Sequence, residues 1–143
     1  MFSFLLSKNK KMIKNWEKEH IKIVELAHII INAYTKENYT QAKKALKELN
    51  TLAVDHIMKE DIIFYKMLKD KDLLDENTTK LMQEFVHSFK NTKMTLMNFL
   101  TKYSKEDIEL DEKFFNTFKS IVAIVASRIE FEEKNLYKEL SKS

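Results

Sequence analysis

The stretch DHIMKEDIIFY, residues 55–65, places polar side chains where a helix should carry its core residues. An amphipathic helix normally reserves one face for apolar side chains. Here His56 and Glu60, one helical turn apart, fall near the centre of that face, whereas Asp55 and Lys59 fall on the outer face. A buried carboxylate without a partner is energetically costly, so the fold must compensate the charge of Glu60.

The composition of the chain predicts a helical protein. The 143 residues are 44% hydrophobic and 33% charged, and they include no Gly, no Pro and no Cys. This length is typical of one domain. Because hairpins, bulges and sharp turns depend on Gly and Pro, we expect almost only helices, joined by short turns of Asn, Asp, Ser and Thr. The absence of Cys excludes disulfides and Cys-based catalysis and fits a reducing compartment, so we expect a cytoplasmic protein.

Apolar residues recur at helical spacing in four segments. We expect helices over about 10–34, 40–68 and 79–103, with Asn77 or Thr78 capping the third, and a fourth helix that begins within 104–107 or at Asp111. Four helices of similar length with short connections predict an all-α, up-down-up-down four-helix bundle over residues 10–143. The residues predicted to face inward are Ile13, Trp16, Val24, Ala27, Ile31, Tyr34, Ala42, Leu46, Leu49, Ala53, Ile63, Phe64, Met67, Met82, Phe85, Phe89, Leu96, Leu100, Phe114, Phe118, Ile121, Val125, Ile129, Leu136 and Leu140.

The segment at residues 1–9 begins with the apolar run MFSFLL, which is followed by the basic run SKNKK. The apolar run is far shorter than the roughly 20 residues of a membrane span. Its positive charges follow the apolar part, whereas those of a signal peptide precede it. We therefore expect no membrane span and a segment that packs on the bundle or on a protein partner, with contact to a membrane surface as the alternative.

The charge pattern and the missing motifs exclude other classes of function. The net charge of +3 is small and the Lys residues alternate with Glu and Asp, so we expect no nucleic-acid binding. A chain without Gly has neither a Gly-rich phosphate loop nor a glycine-flanked nucleophilic serine. We therefore expect a binding protein rather than an enzyme.

The fourth helix repeats the motif of the second. DHIMKEDIIFYKML (55–68) aligns without a gap with SRIEFEEKNLYKEL (127–140), and this alignment pairs His56 with Arg128 and Glu60 with Glu132. Glu132 falls on the apolar face of its helix, as does His20 on the first. Helix bundles build carboxylate-bridged metal centres from such inward imidazoles and carboxylates on facing helices. His20, His56, Glu60 and Glu132 are therefore candidate metal ligands.

With this arrangement the chain resembles the hemerythrin-like, HHE cation-binding family from about Trp16 to Leu140. In that family each helix supplies a histidine, and the glutamates of two H-x-x-x-E motifs bridge two non-haem irons. The resemblance implies ligand roles for His20, the HIMKE motif and Glu132, and it makes His87 the candidate on the third helix. It also implies a role in binding or sensing O2 or NO, or in handling iron under oxidative or nitrosative stress.

Two positions depart from the family pattern. Arg128 stands at the place of the fourth-helix histidine, and arginine is not a metal ligand because it stays protonated. His87 falls nearly opposite Phe89 and Met82 on the third helix. The loss of one histidine favours a single iron or an asymmetric pair over a fully ligated pair of irons.

An alternative hypothesis is a degenerate, metal-free bundle that acts as a protein-interaction module. In that case Arg128 pairs with Glu60 or Glu132 and replaces the charge of the metal, and the N-terminal segment contacts the partner. In both hypotheses we expect a structural role for His28 and packing at the end of the bundle for Tyr65 and Tyr137.

Overall fold

The computed structural model describes residues 2–70 and 72–142, and it describes side chains over 9–70 and 72–141. The elements are α1 (Phe2–Thr35), α2 (Tyr39–Lys69), α3 (Glu76–Tyr103), α4 (Glu112–Phe131), a π-helical turn (Glu132–Leu136) and α5 (Tyr137–Lys142). The last three elements follow each other without a break and form the fourth helix of the bundle. Each helix packs on the next one in the chain, and the fourth packs back on α1. The prediction of an all-α, up-down-up-down four-helix bundle is confirmed.

Side-chain caps begin three of the helices in this chain without Gly and Pro. In each case an Asn or Asp side chain accepts a hydrogen bond from the backbone N–H three residues further on, as N-cap residues do. The three caps are Asn38, Asp75 and Asp111. The prediction of Asn77 or Thr78 as the cap of α3 is wrong, because the carboxylate of Asp75 already accepts the N–H of Thr78 at 2.7 Å.

A Schellman motif ends α1. The N–H of Asn38 donates to the carbonyl of Ala33 at 2.8 Å and the N–H of Glu37 donates to that of Tyr34 at 2.9 Å. Glu37 takes the left-handed backbone conformation, with φ of 60°, that this motif requires. Glycine normally fills this position because it has no Cβ to clash.

The core is divided into two hydrophobic clusters, and the polar residues lie between them. The Trp16 cluster consists of Ile13, Trp16, Phe64, Met67, Leu74, Met82, Phe85, Leu136, Tyr137 and Leu140. The Phe114 cluster consists of Ile23, Leu26, Ala27, Ile30, Ala45, Leu46, Leu49, Ala53, Ile57, Leu96, Phe99, Leu100, Tyr103, Phe114, Phe118 and Ile121. On α1 and on the fourth helix the polar core residues lie between the parts that enter the two clusters, and on α2 His56 and Glu60 lie at that boundary, on either side of Ile57.

The residues predicted to face inward are buried or half-buried, with one exception. Val24 is 40% exposed. The buried stripe of α1 passes through Ile23 and Ala27, and Val24 lies about 100° around the helix from Ile23, at the edge of that stripe. The prediction that Asp55 and Lys59 face outward is confirmed.

The N-terminal segment continues α1 from Phe2 onward. The prediction that this segment packs on the bundle or on a partner concerns side chains outside the described residues. The boundary between the N-terminal segment and the bundle domain at residue 9 also stays a prediction. None of the described helices is long and apolar enough to cross a membrane.

Candidate metal centre

Four polar side chains converge between the two hydrophobic clusters. His20 comes from α1, His56 and Glu60 from α2, and Glu132 from the first position of the π-helical turn. All four residues are at most 3% exposed. Each offers one ligand atom, and these four atoms lie within 4.8 Å of one another. The structure therefore brings together four of the residues that the sequence predicted as ligands.

Two of the distances between these atoms are those expected between neighbouring ligands around one ion. His20 Nε2 lies 3.0 Å from His56 Nε2 and 3.4 Å from Glu132 Oε1. It lies 3.8 Å from Glu60 Oε1, which in turn contacts His56 Nε2 directly. Ligand atoms about 2.1 Å from a metal ion stand roughly 3.0–3.5 Å apart when they are neighbours. One ion can therefore be surrounded by this set with little rearrangement.

Two further carboxylates lie beside the imidazoles, and one of them, Glu133, is hydrogen-bonded to His20. Glu133 Oε2 lies 3.0 Å from His20 Nδ1, and Glu19 Oε2 lies 3.4 Å from His56 Nδ1. A carboxylate beside Nδ1 favours the tautomer that carries its proton there, which leaves the Nε2 lone pair free for a metal. Both Nε2 atoms face the centre of the site, so both rings are turned as metal-binding histidines are. Sequence reasoning assigned no role to either carboxylate.

The electrostatics of the cluster favour a positive charge at its centre. Burial and the neighbouring Glu60 carboxylate raise the pKa of Glu132 to about 8. Burial alone would lower the pKa of His20, but hydrogen bonds to Glu132 and Glu60 raise it to about 10. Burial and the positive charge of His20 lower the pKa of His56. Without a metal, the proton on His20 therefore supplies a positive charge, and the proton on Glu132 removes one negative charge from the cluster.

Arg128 lies beside the cluster and is buried. Its Nε lies 3.8 Å from Glu132 Oε1, so of the two predicted partners Glu132 is the one that it approaches. Its guanidinium lies over the rings of Phe85 and Phe89, at 4.9 and 5.6 Å from their centroids. Such cation–π contacts lessen the cost of burying the charge. Its Nη2 is buried and has no hydrogen-bond partner.

The structure does not bring His87 to the cluster, because its side chain is exposed. α3 turns Phe85 inward, and two residues along an α-helix correspond to a rotation of about 200°. Among the described residues α3 contributes no member of the candidate metal-binding group. His28 is also exposed and outside that group.

Tyr137 is a member of the site that sequence reasoning missed. It is 2% exposed, whereas Tyr65, its counterpart in the repeat, is 56% exposed, so the prediction that both pack at the end of the bundle is wrong. Its hydroxyl donates to Glu60 Oε1 at 3.1 Å and lies 3.3 Å from Glu132 Oε2. It also lies 3.4 Å from His20 Nε2. Burial and both carboxylates raise the pKa of this phenol, which keeps it protonated in the metal-free protein.

The π-helical turn explains why periodicity does not find Tyr137. In a regular α-helix two side chains that are five residues apart differ in direction by about 140°, which would turn Tyr137 away from Glu132. In the π-helical turn the N–H of Tyr137 instead donates to the carbonyl of Glu132. The wider turn brings both side chains to the same face, as π-bulges at functional sites often do. The only sequence signal is a Tyr five residues after the Glu in both copies of the motif, and α2 has no such turn.

A cavity of about 270 Å³ adjoins the cluster. Its polar lining comes from His20, His28, His56, Arg128 and Glu132, and the rest is mainly aliphatic. Val24, His28 and Ala126, which are exposed residues of α1 and α4, contribute to its lining. The cavity therefore connects the polar cluster with the surface between these two helices.

Residues 11–140 match the family model described as the hemerythrin HHE cation-binding domain. This match covers the bundle from the middle of α1 to the last turn of α5. No curated protein and no solved structure matches the chain significantly.

Proposed function

Since the chain belongs to the hemerythrin HHE cation-binding domain family, we propose that it is a non-haem iron protein that binds O2 or NO. Its physiological role is then to bind or sense the diatomic molecule, or to handle iron under oxidative or nitrosative stress. We propose a ligand-binding role rather than an enzymatic one. The convergence of four buried ligand atoms within 4.8 Å of one another carries this proposal.

The donor set fits a metal ion. Glu60 Oε2 is buried and has no hydrogen-bond partner. An unsatisfied carboxylate oxygen in a protein core costs several kcal/mol, and a cation bound at the site would compensate it. Imidazole and carboxylate together suit iron and other first-row metals better than they suit calcium or magnesium.

The residues around the site have separate roles. Nε2 of His20 and of His56 and one oxygen each of Glu60 and Glu132 would hold the ion, and the ion would supply the binding of the diatomic ligand. Glu133 would fix the orientation of the His20 ring through a hydrogen bond to Nδ1, whereas Glu19 lies near Nδ1 of His56 without a hydrogen bond. The aliphatic cavity limits access of water and admits small, weakly polar molecules.

We propose one ion per chain. The candidate group offers four ligand atoms, and α3 adds none among the described residues. The buried guanidinium of Arg128 lies on the α3 side of Glu132 and repels a second cation there.

The test is the metal content of the full chain after anaerobic reconstitution with ferrous iron. We expect about one iron per chain, and we expect His56→Ala and Glu60→Ala to lose it. His87→Ala is the matched control, because His87 is exposed, lies outside the cluster and does not line the adjoining cavity. Far-UV circular dichroism checks that each variant is folded. A folded wild type that binds no iron would refute the proposal.

The diatomic ligand is tested on the iron-loaded protein. We expect anaerobic titration with NO to change the optical and electron paramagnetic resonance spectra, with saturation at one NO per iron. A substitution that fills the cavity beside the site, such as Ala53→Phe, should reduce this binding while iron content stays the same. An iron-loaded protein that does not respond to NO or O2 would leave metal binding intact and refute the gas-binding role.

The alternative is a metal-free bundle that acts as an interaction module. It is supported by the position of Arg128 beside Glu132, and by the phenol of Tyr137, which donates a hydrogen bond to the Glu60 carboxylate. In that case wild type remains metal-free and folded, and deletion of residues 1–9 abolishes binding of the partner protein.

A further inference from the structure

We infer that Tyr137 is a fifth metal ligand, which binds a ferric ion through its phenolate oxygen together with the two histidines and two glutamates of the site. This inference rests on the proposed function and adds a residue and an oxidation state to it. The bond that forms joins Oη to the ion, and the bond that breaks is the phenolic O–H, whose proton passes to the solvent. No electron is transferred, because the ion binds in its ferric form.

The position of Oη carries the inference. It lies 3.1 Å from Glu60 Oε1, 3.3 Å from Glu132 Oε2 and 3.4 Å from His20 Nε2. These values fall within the roughly 3.0–3.5 Å that separate neighbouring ligand atoms around one ion. The separations among the candidate ligands themselves are 3.0 and 3.4 Å, where the atom of Glu132 nearest to His20 is Oε1 and its Oε2 faces Tyr137. A hydroxyl that only supported the glutamates would not need to approach the imidazole nitrogen as well.

The side chain is held in this position from several directions. Its ring stacks on that of His20, with centroids 5.7 Å apart and an angle of 10° between the planes. Trp16 packs against it at 5.6 Å. The π-helical turn sets its backbone, and the rest of the ring belongs to the Trp16 cluster. A phenylalanine would fill the same apolar space, so packing alone does not account for the hydroxyl.

Charge balance favours a ferric ion with a phenolate. The carboxylates of Glu60 and Glu132 neutralise a divalent ion while the phenol remains protonated. A trivalent ion leaves one positive charge uncompensated in a buried site, next to the guanidinium of Arg128, which is itself costly. A phenolate at Tyr137 removes that charge. The residue also supplies a protein ligand on the fourth helix, where Arg128 cannot.

The experiment loads the full chain with ferric iron, supplied as the citrate complex, and compares wild type, Tyr137→Phe and Tyr103→Phe. Tyr103 is the control because it is also buried but lies in the Phe114 cluster. Iron content and visible absorption are measured on the same samples. We expect wild type and Tyr103→Phe to show a phenolate-to-iron charge-transfer band with tyrosinate modes in resonance Raman. Tyr137→Phe should lose at least 90% of the band per bound iron.

A second variant covers the case in which Tyr137→Phe binds no iron. The combination Tyr34→Phe, Tyr39→Phe, Tyr65→Phe and Tyr103→Phe leaves Tyr137 as the only tyrosine of the five. It should keep the band and the tyrosinate modes. Iron-loaded wild type without the band, or Tyr137→Phe with an unchanged band per iron, overturns the inference but not the proposed function. Wild type that binds no iron in either oxidation state overturns both.

Discussion

At the scale of a single residue, Arg128 adds a fixed positive charge beside the site. The repeat of the second-helix motif pairs it with His56, but its guanidinium contacts Phe85 and Phe89 and approaches Glu132. A fixed positive charge here stabilises the carboxylates when no metal is bound and opposes the binding of cations. Arg128 therefore affects both the number of ions and the stability of the metal-free protein.

Replacing Arg128 tests both effects. Arg128→His restores a ligand and removes a fixed charge, so we expect the iron content to rise from about one towards two per chain. Arg128→Met removes the charge without adding a ligand, so the content should stay at about one while affinity for the metal increases. In the presence of chelator and at about pH 9, where Glu132 is ionised, Arg128→Met should lower the free energy of unfolding in urea by about 1–3 kcal/mol, because the Glu132 carboxylate loses its charged neighbour. Unchanged iron content and unchanged stability would contradict this role.

The protonation of the cluster predicts how metal binding depends on pH. The pKa of Glu132 is raised to about 8 and that of His20 to about 10, so both groups carry a proton at pH 7 in the metal-free protein. A metal ion binds the deprotonated ligands and must displace these protons. Affinity for Zn²⁺, a probe without redox chemistry, should therefore rise from pH 6 to pH 8.

Calorimetry checks this prediction through the protons released. Titrations with Zn²⁺ at pH 7 in two buffers of different ionisation enthalpy should show release of at least one proton per ion. Glu132→Gln, which has no acidic proton to lose, should release fewer. If wild type released no proton, the raised pKa values of His20 and Glu132 would be wrong.

At the scale of the helix, the helix ends must be stabilised without glycine. Asn and Asp caps begin three helices, and Lys43 Nζ donates to the backbone carbonyls of Tyr103 and Lys105, both at 2.6 Å, where α3 ends. The end of α1 is different, because Glu37 occupies a left-handed position. A residue with a Cβ costs roughly 1–2 kcal/mol there.

Glu37→Gly should therefore stabilise the protein. Glycine removes the steric cost but adds freedom to the unfolded chain, so we expect a net gain of about 0.5–1 kcal/mol. Lys36→Gly is the matched control, because its φ is not positive and it should destabilise the bundle. Urea denaturation of the metal-free protein measures both variants. An equal loss of stability in both would show that the left-handed position carries no strain.

The π-helical turn acts at the same scale and shapes the site. The same pattern of Glu and Tyr occurs on α2 and on the fourth helix, yet only the fourth helix widens by one residue. As a result Tyr137 joins the site and Tyr65 remains exposed. One local irregularity thus makes the two halves of the repeat different.

At the scale of the whole molecule, the site interrupts a core that would otherwise be continuous. It lies between the Trp16 and Phe114 clusters and joins α1, α2 and the fourth helix. Buried polar groups of this kind often reduce stability compared with apolar residues of similar volume. The site therefore lowers the stability of the metal-free bundle.

Replacing buried polar residues of the site by apolar ones tests this loss of stability. The double variant His56→Leu and Glu60→Met should raise the free energy of unfolding of the metal-free protein by about 1–4 kcal/mol. The same variant should bind no metal. Chemical denaturation in chelator measures the first effect and metal content the second. A lower free energy of unfolding in the variant would mean that the polar cluster stabilises the fold rather than destabilising it.

Metal binding should offset the loss of stability that the buried polar site causes in the wild-type protein. A ligand that binds only the folded state adds about 2.7 kcal/mol at a hundredfold excess over its Kd. We therefore expect the Tm of wild type to rise with Zn²⁺ concentration, and the Tm of the His56→Leu and Glu60→Met variant to stay constant. Parallel increases in both proteins would place the stabilising site elsewhere.

The sequence alone determined the class of fold and the centre of the site. The absence of Gly and Pro, together with helical periodicity, was enough to predict four helices, because both depend on local backbone preferences and on which face is apolar. The same periodicity predicted that His56, Glu60 and Glu132 share the core. These residues lie within regular α-helix or at its boundary, where the position along the chain still determines the direction of a side chain around the helix axis.

Only the tertiary structure decided the remainder of the site. His87 lies on the outer face, as its angle on the third helix indicated, whereas Tyr137 lies on the inner face because a π-helical turn changes the angle on the fourth helix. Glu19 and Glu133 enter the site because neighbouring helices bring each of them to a histidine on another helix. Helical periodicity gives the direction of a side chain on its own helix, but the partners of that side chain depend on how the helices pack.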